Sequence, residues 1–184
     1  SNMKKLTRLS FITLLSLAWC FPVMSKTYTK SDIIQEANII AQDITMALKN
    51  NQLSEPQIYA YLTVLTTFAP QVYGSALAFN PQFLQSHAFF LHHNVVSANK
   101  VLYCPYVDKD KDMLIETMDI GNIYKNHGYD YTSWEWYRVP MKTHKPHWSK
   151  PYFDKDAGDI NMVTYSIPIG DKAILTFDLP YDKK

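Results

Sequence analysis

The stretch NMVTYSIPIGDKAILTFDL, residues 161–179, decides how this chain folds. Two runs rich in β-branched and aromatic residues, 161–169 and 173–179, flank Gly170-Asp171 and read as antiparallel strands joined by that turn. Upstream, VYGSALAF (72–79), KVLYCPYV (100–107) and MLIETMDI (113–120) each read as one further strand. Earlier still the pattern becomes helical. Ile33, Ala37, Ile40, Ile44 and Leu48 form one apolar stripe, predicting a helix over 31–49 that Ser31 caps and Asn50-Asn51 close. A second helix is expected over 55–68, opened by a Ser54–Gln57 capping box and closed by Pro70. Thr132 and Glu135 form another such box, predicting a short helix that Pro140 ends. Helices followed by a mostly antiparallel sheet make an α+β domain of about five strands.

Composition agrees with one globular domain. The chain has 184 residues, 47% hydrophobic and 19% charged, enough to bury a core without staples. The net charge is +1, and removing Lys4, Lys5 and Arg8 leaves −2. No basic stripe exists, which argues against nucleic acid as a partner.

Those three positives precede an uncharged, mostly apolar run, LSFITLLSLAWCFPVMS (9–25), short for a membrane span of about 20 residues. Ser1-Asn2 reads as a cloning remnant, and 1–25 as that remnant plus a signal peptide cut after Val23-Met24-Ser25. An uncleaved signal anchor is the second reading, and lipidation at Cys20 a third that bulky Trp19 opposes. The expected location is periplasmic or secreted, or the inner membrane facing the periplasm. Residues 26–70 then form the N-terminal helices and 71–184 the sheet-bearing module. With the signal gone Cys104 is the only cysteine, read as a buried apolar residue with no disulfide to make.

Several motifs weaken on inspection. DKDKDMLIETMD (108–119) spaces its acids like a calcium loop, but Met113 stands where the sharp turn needs Gly, so a hairpin turn is the better reading. His87, His92 and His93 lack the spacing that puts two imidazoles on one helix face. No nucleophile elbow, P-loop or dinucleotide fingerprint occurs, and no carboxylate pair stands out. The residues therefore propose no catalytic group, metal or cofactor, and a binding domain is favoured over an enzyme.

YDYTSWEWYRVP (129–140) holds five aromatics, and HWSKPYFDKDAGD (147–159) adds Trp148, Tyr152 and Asp154 in a loop. On the predicted helix Trp136 and Tyr137 share one side with Ser133, while Trp134 and Arg138 share another. Both sides cannot be ordinary core on so short a helix. The segment is either the wall of a cleft for a small cation or zwitterion, or a Tyr-rich core with hydroxyls at the surface.

Taken in order, VYGSALAF, YDYTSWEWYRVP, HWSKPYFDKDAGDINMVTYSIPI and ILTFDL resemble the Cache extracellular sensor domain, a PAS-like family also called PDC. The resemblance spans about residues 30–180. It implies a long N-terminal helix on a curved antiparallel sheet, a small-molecule pocket on one face, and binding without catalysis. In amino-acid-sensing members a motif runs Tyr, Arg, Trp-Tyr, Tyr-x-Asp and a last-strand Asp. Tyr129, Trp136, Tyr137, Tyr152, Asp154 and Asp178 match it here, and Tyr165 of the TYSIP strand is added as a lining residue. Trp134 stands at the Arg position. In the family the aromatics and Arg hold the ligand carboxylate, and the two Asp hold the amino group.

Losing that guanidinium while keeping both acids favours a small amine, or an amino acid whose carboxylate Arg138 or backbone N–H groups receive. A short carboxylate such as a 2-oxo acid, or a ligand-free periplasmic interaction module, is the alternative. A membrane-bound signalling partner or a homodimer through the long helix is also expected. The chain stops six residues after Asp178, read either as an excised sensor region or as a free-standing exported module.

Overall fold

Thr29, rather than Ser31, starts the first helix. Its hydroxyl accepts the Asp32 N–H at 3.1 Å, and the Asp32 carboxylate accepts the Thr29 N–H at 2.8 Å. Ser31 has Ile34 three residues on, which cannot answer in that way. The structure, a computed structural model, describes residues 26–87, 95–97, 100–121, 130–154 and 159–182.

Helix α1 (Lys30–Lys49) buries the predicted stripe, and Asn50 caps its end. Helix α2 (Glu55–Phe68) opens at the Ser54–Gln57 box and stops before Pro70, with Ala69 already extended. Next come β1 (Gly74–Phe79), α3 (Pro81–Gln85), β2 (Val95–Ser97), β3 (Lys100–Leu102), β4 (Pro105–Lys109) and β5 (Ile115–Asp119). A 3-10 turn (Tyr131–Ser133) leads into α4 (Glu135–Thr143), then β6 (His147–Trp148), β7 (Tyr152–Phe153), β8 (Asn161–Ile169) and β9 (Ala173–Pro180). The main sheet runs β5-β4-β1-β9-β8, antiparallel throughout, with two-residue β6 and β7 added along β8. Its body is the five strands expected from sequence. The β8–β9 turn forms as read, with Gly170 at φ 54 and Ile169 paired with Ala173.

KVLYCPYV, expected as one strand, is two. Its first part pairs with β2 in a separate ribbon, and its second part joins the main sheet. Side chains interrupt it: the Tyr131 hydroxyl takes the Tyr103 N–H at 3.1 Å, and the Asp119 carboxylate takes the Cys104 N–H at 3.0 Å.

Apart from its outer strand β5, the sheet is buried on both sides. Leu77, Phe79, Val107, Tyr165, Ile167, Leu175 and Phe177 pack with the apolar stripes of α1 and α2. The alternate positions Ala76, Ala78, Tyr106 and Ile174 pack with Cys104, Tyr131, Trp136 and Tyr137. Buried hydroxyls stitch α2 to the sheet: Thr66 and Ser75 lie 2.7 Å apart, and Ser75 donates to the Leu62 carbonyl at 2.8 Å. Lys109 leaves β4 on this side and donates to the carbonyls of Ala69, Pro70 and Val72 at 3.2, 3.4 and 2.8 Å. A cation there satisfies carbonyls just past the negative end of α2.

Gly74 pairs with Asp108 on one side and Asp178 on the other. A Cβ at this position would stand 2.6 Å from the Tyr106 hydroxyl and 2.9 Å from the Val107 carbonyl oxygen. The missing side chain is therefore the space that the Tyr106 ring occupies.

Two outcomes follow for stability. Lys109→Met keeps the apolar stem but strips three carbonyls of their donor, and should lower the unfolding free energy by about 1.5–3 kcal/mol in urea titration. An unchanged midpoint would mean those bonds contribute nothing net. Gly74→Ala should cost about 1–3 kcal/mol by forcing Tyr106 out of place, since the Val107 backbone cannot yield.

Candidate functional site

Tyr131 anchors the aromatic segment. It is fully buried, and its hydroxyl donates to the Phe79 carbonyl at 2.5 Å while receiving the Tyr103 N–H. The expected Thr132–Glu135 capping box does not form. Thr132 instead bonds Asp130 and receives Lys100 Nζ at 3.1 Å, and the intervening 3-10 turn moves the helix start. Trp134 is the N-cap residue, a position its side chain does not cap. Glu135 is drawn to the following loop, where its carboxylate accepts the Lys150 N–H at 2.8 Å.

Pro140 lies inside α4 rather than ending it, and the helix continues to Thr143 before His144 turns it off in the left-handed region. Pro140 has no N–H for the carbonyl of Trp136, four residues earlier. Ser166 Oγ donates to that carbonyl instead, at 2.6 Å. The break in the helix ladder is thereby filled from β8.

This arrangement buries Trp136 and Tyr137 and leaves Trp134 half-buried. The rings interlock: Tyr131–Trp136 centroids lie 6.5 Å apart, Tyr131–Tyr137 5.4 Å, and Trp134–Tyr152 5.5 Å. A cavity of about 110 Å³ opens beside them, and its lining includes Trp134, Glu135, Trp136, Ser149, Lys150 and Tyr152. The Trp136 indole N–H is buried, with no hydrogen-bond partner among the described residues.

Asp178 sits one layer deeper. Tyr152 and Thr164 hydroxyls are 2.7 Å apart, and Thr164 donates to Asp178 Oδ1 at 2.7 Å. The Tyr106 hydroxyl donates to Asp178 Oδ2 at 3.3 Å. Burial pushes the Asp178 carboxyl up to about 7, although both hydroxyls pull it back. Asp154 is also buried, and its charge acts on Tyr106 and Cys104 from the same side of the sheet.

Trp134, Trp136, Tyr152 and Asp178 are thus brought together, with Tyr137 and Asp154 adjoining. Tyr129 lies outside the described residues, as do His92, His93, Cys20 and the segment read as a signal. Tyr165 is a correction: it packs against Trp148 at 4.8 Å and Phe177 at 5.3 Å on the α1 side. Adjacent strand residues point to opposite faces, so Tyr165 cannot share a face with Thr164. Arg138 is exposed at the surface. Sequence reading missed Thr164 and Tyr106. A signal for Thr164 existed, because counting back from the Gly170 turn places it opposite Asp178.

The acidic run 108–119 forms the β4–β5 hairpin, where Asp110 Oδ1 receives the N–H groups of Asp112 and Leu114 at 2.8 and 2.9 Å. Among the described residues no cluster could hold a metal ion. Cys104 is free and fully buried, and burial raises its thiol well above the usual range, the state of an inert core residue.

Residues 58–183 match the family described as methyl-accepting chemotaxis protein-like, first PDC sensor domain. Among solved structures the chain is similar to the extracellular domain assigned to the histidine kinase soHK1S-Z6, at 28% identity and TM-score 0.57, over 80% of this chain and 53% of that one. It shares its fold with Methyl-accepting Chemotaxis protein X, at 16% identity and TM-score 0.53, over 82% and 61% of the two chains. The periplasmic sensory domain of the Campylobacter jejuni chemoreceptor Tlp1 is similar in fold at 12% identity and TM-score 0.56, over 82% and 53%. No curated protein matches the chain. The chain spans about half the length of the first of these structures. Extracellular and periplasmic neighbours support an extracytoplasmic location, and among the described residues no helix is long and apolar enough to cross a membrane. The match over most of the chain and the shared α+β architecture give its family: the chain belongs to the PDC sensor domains of the chemotaxis-receptor type.

Proposed function

We propose that this sensor domain, exported through the segment 1–25, binds a small amine or amino acid between α4 and the sheet. The observation that carries the reading is Asp178, a buried carboxyl linked through Thr164 to the Tyr152 wall of an aromatic cavity. A cationic head suits such a place, because aromatic faces and a desolvated carboxylate both attract it. On this reading Tyr152 is the movable wall. Turning aside from Thr164, it would let an ammonium group reach Asp178, with Asp154 as second acceptor.

Trp136 favours the amino acid within this class. Its buried indole N–H can donate to a carboxylate at the far end of a zwitterion. Trp134, in the place of the family's Arg, leaves that end with fewer donors and narrows the site to compact ligands. A signalling partner, reached directly or through a second copy of the chain, would receive the bound state.

Calorimetric titration with alkylamines, amino acids and short carboxylates tests this reading. Amines or amino acids should bind, and Asp178→Asn should abolish binding while circular dichroism stays unchanged. Binding of short carboxylates alone would overturn the assignment. Trp134→Arg should raise affinity for α-amino acids about tenfold or more relative to the matching amines, by restoring a bidentate carboxylate partner. An equal change for both ligands would remove Trp134 from the site.

A further inference from the structure

Asp178 belongs to a line of acids. Glu116 of β5 pairs with Asp108 of β4, Asp108 with Gly74 of β1, and Gly74 with Asp178 of β9. Cross-strand partners point to one side of a sheet, so three carboxyl groups share the face that Tyr106 covers. Asp108 is 1% exposed, and its Oδ1 has no hydrogen-bond partner among the described residues. Glu116 opposite it is exposed on the outer strand.

Among the described residues, the groups facing these acids are acids and neutral hydroxyls. Asp108 meets Glu116 across β5, Asp110 at the hairpin turn, Asp178 beyond Gly74, and the phenols Tyr73 and Tyr106. Asp178 meets Thr164, Tyr106 and Tyr73, with Cys104 and Asp154 on the same side; Asp159 acts on Tyr73. Lys109, next to Asp108 in sequence, points to the opposite face and is engaged with three carbonyls. Among the described residues no ion pair reaches Glu116, Asp108 or Asp178.

A facing pair of carboxyl groups can hydrogen-bond only if one keeps a proton, and a third acid beyond a single glycine strengthens that demand. Burial, then the hydrogen bond and charge of Glu116, then the charge of Asp178, push Asp108 up to about 7. We propose that Asp108, backed by Glu116, is a positioning residue that sets the charge of Asp178, so that the site admits a cation in exchange for a proton. The exchange balances: the carboxylic proton of Asp178 leaves to solvent, and the incoming ammonium replaces its charge. The ligand half of this inference rests on the amine reading above. Its proton half needs no ligand.

The wild-type chain, labelled with carbon-13 at its carboxyl groups, tests the proton half directly. Asp108 and Asp178 should titrate near neutrality, and titration of both near 4 would overturn the proposal. Both carboxyls hold protons that the unfolded chain has already released. Stability should therefore fall as pH rises from about 4 through about 7. Asp108→Asn should flatten that fall and raise the melting temperature at pH 8, and Glu116→Gln, at an exposed position, should act in the same direction. A pH profile of Asp108→Asn superimposable on wild type would refute the role. With ethylamine as probe, affinity should rise about tenfold per pH unit below 7 and level off above it. If ethylamine fails to bind at any pH while both carboxyls titrate near 7, the proton site stands and the amine reading falls.

Discussion

A carboxyl group buried in the middle of a sheet must keep its proton or be answered by a positive charge. Asp178 is in that position, and the neighbouring elements are arranged around it. Gly74 gives up its side chain so that the Tyr106 ring can lie flat enough to reach the carboxyl from one side. Thr164, fixed opposite by the β8–β9 turn, reaches it from the other. Both donors are neutral hydroxyls, so they orient the group without cancelling its charge.

The helical layer supports this arrangement from behind. Thr66 and Ser75 tie α2 to the strand that contains Gly74, and Lys109 closes the carbonyl end of that helix from the next strand. On the other face Tyr131 plays the equivalent part. A single phenol holds the end of β1 and the crossing between β3 and β4, and its ring supports Trp136 and Tyr137. One face of the sheet is thus invested in cohesion, and the other holds polar groups beneath an aromatic cover.

Much of this was legible in the sequence because it depends on local periodicity. The stripe from Ile33 to Leu48, the Ser54 box and the Gly170 turn each carry their signal within a few residues. The aromatic segment was legible as a cluster, and Trp134, Trp136 and Tyr152 border one cavity, with Asp178 linked to it through Thr164. What escaped was set by competition at longer range. Asp130 took Thr132 from its expected cap, Tyr131 and Asp119 cut KVLYCPYV in two, and Ser166 allowed a helix to run through Pro140. Tyr165 failed for a simpler reason: alternation along β8 puts Val163, Tyr165 and Ile167 on the α1 face and Thr164 and Ser166 on the other. Thr164 is therefore the residue that joins Asp178.

The proline in α4 also has a mechanical consequence. A helix with a complete ladder can rotate about its axis and keep every internal bond, so packing alone fixes its bearing on the sheet below. Pro140 leaves one rung open, and β8 supplies the missing donor from a fixed point. The helix is thereby keyed to the sheet like a shaft in a slot, at the residue whose indole lines the cavity. Any rotation of α4 large enough to move Trp136 must first break that key, so the angular setting of the cavity wall and the integrity of the helix are a single variable.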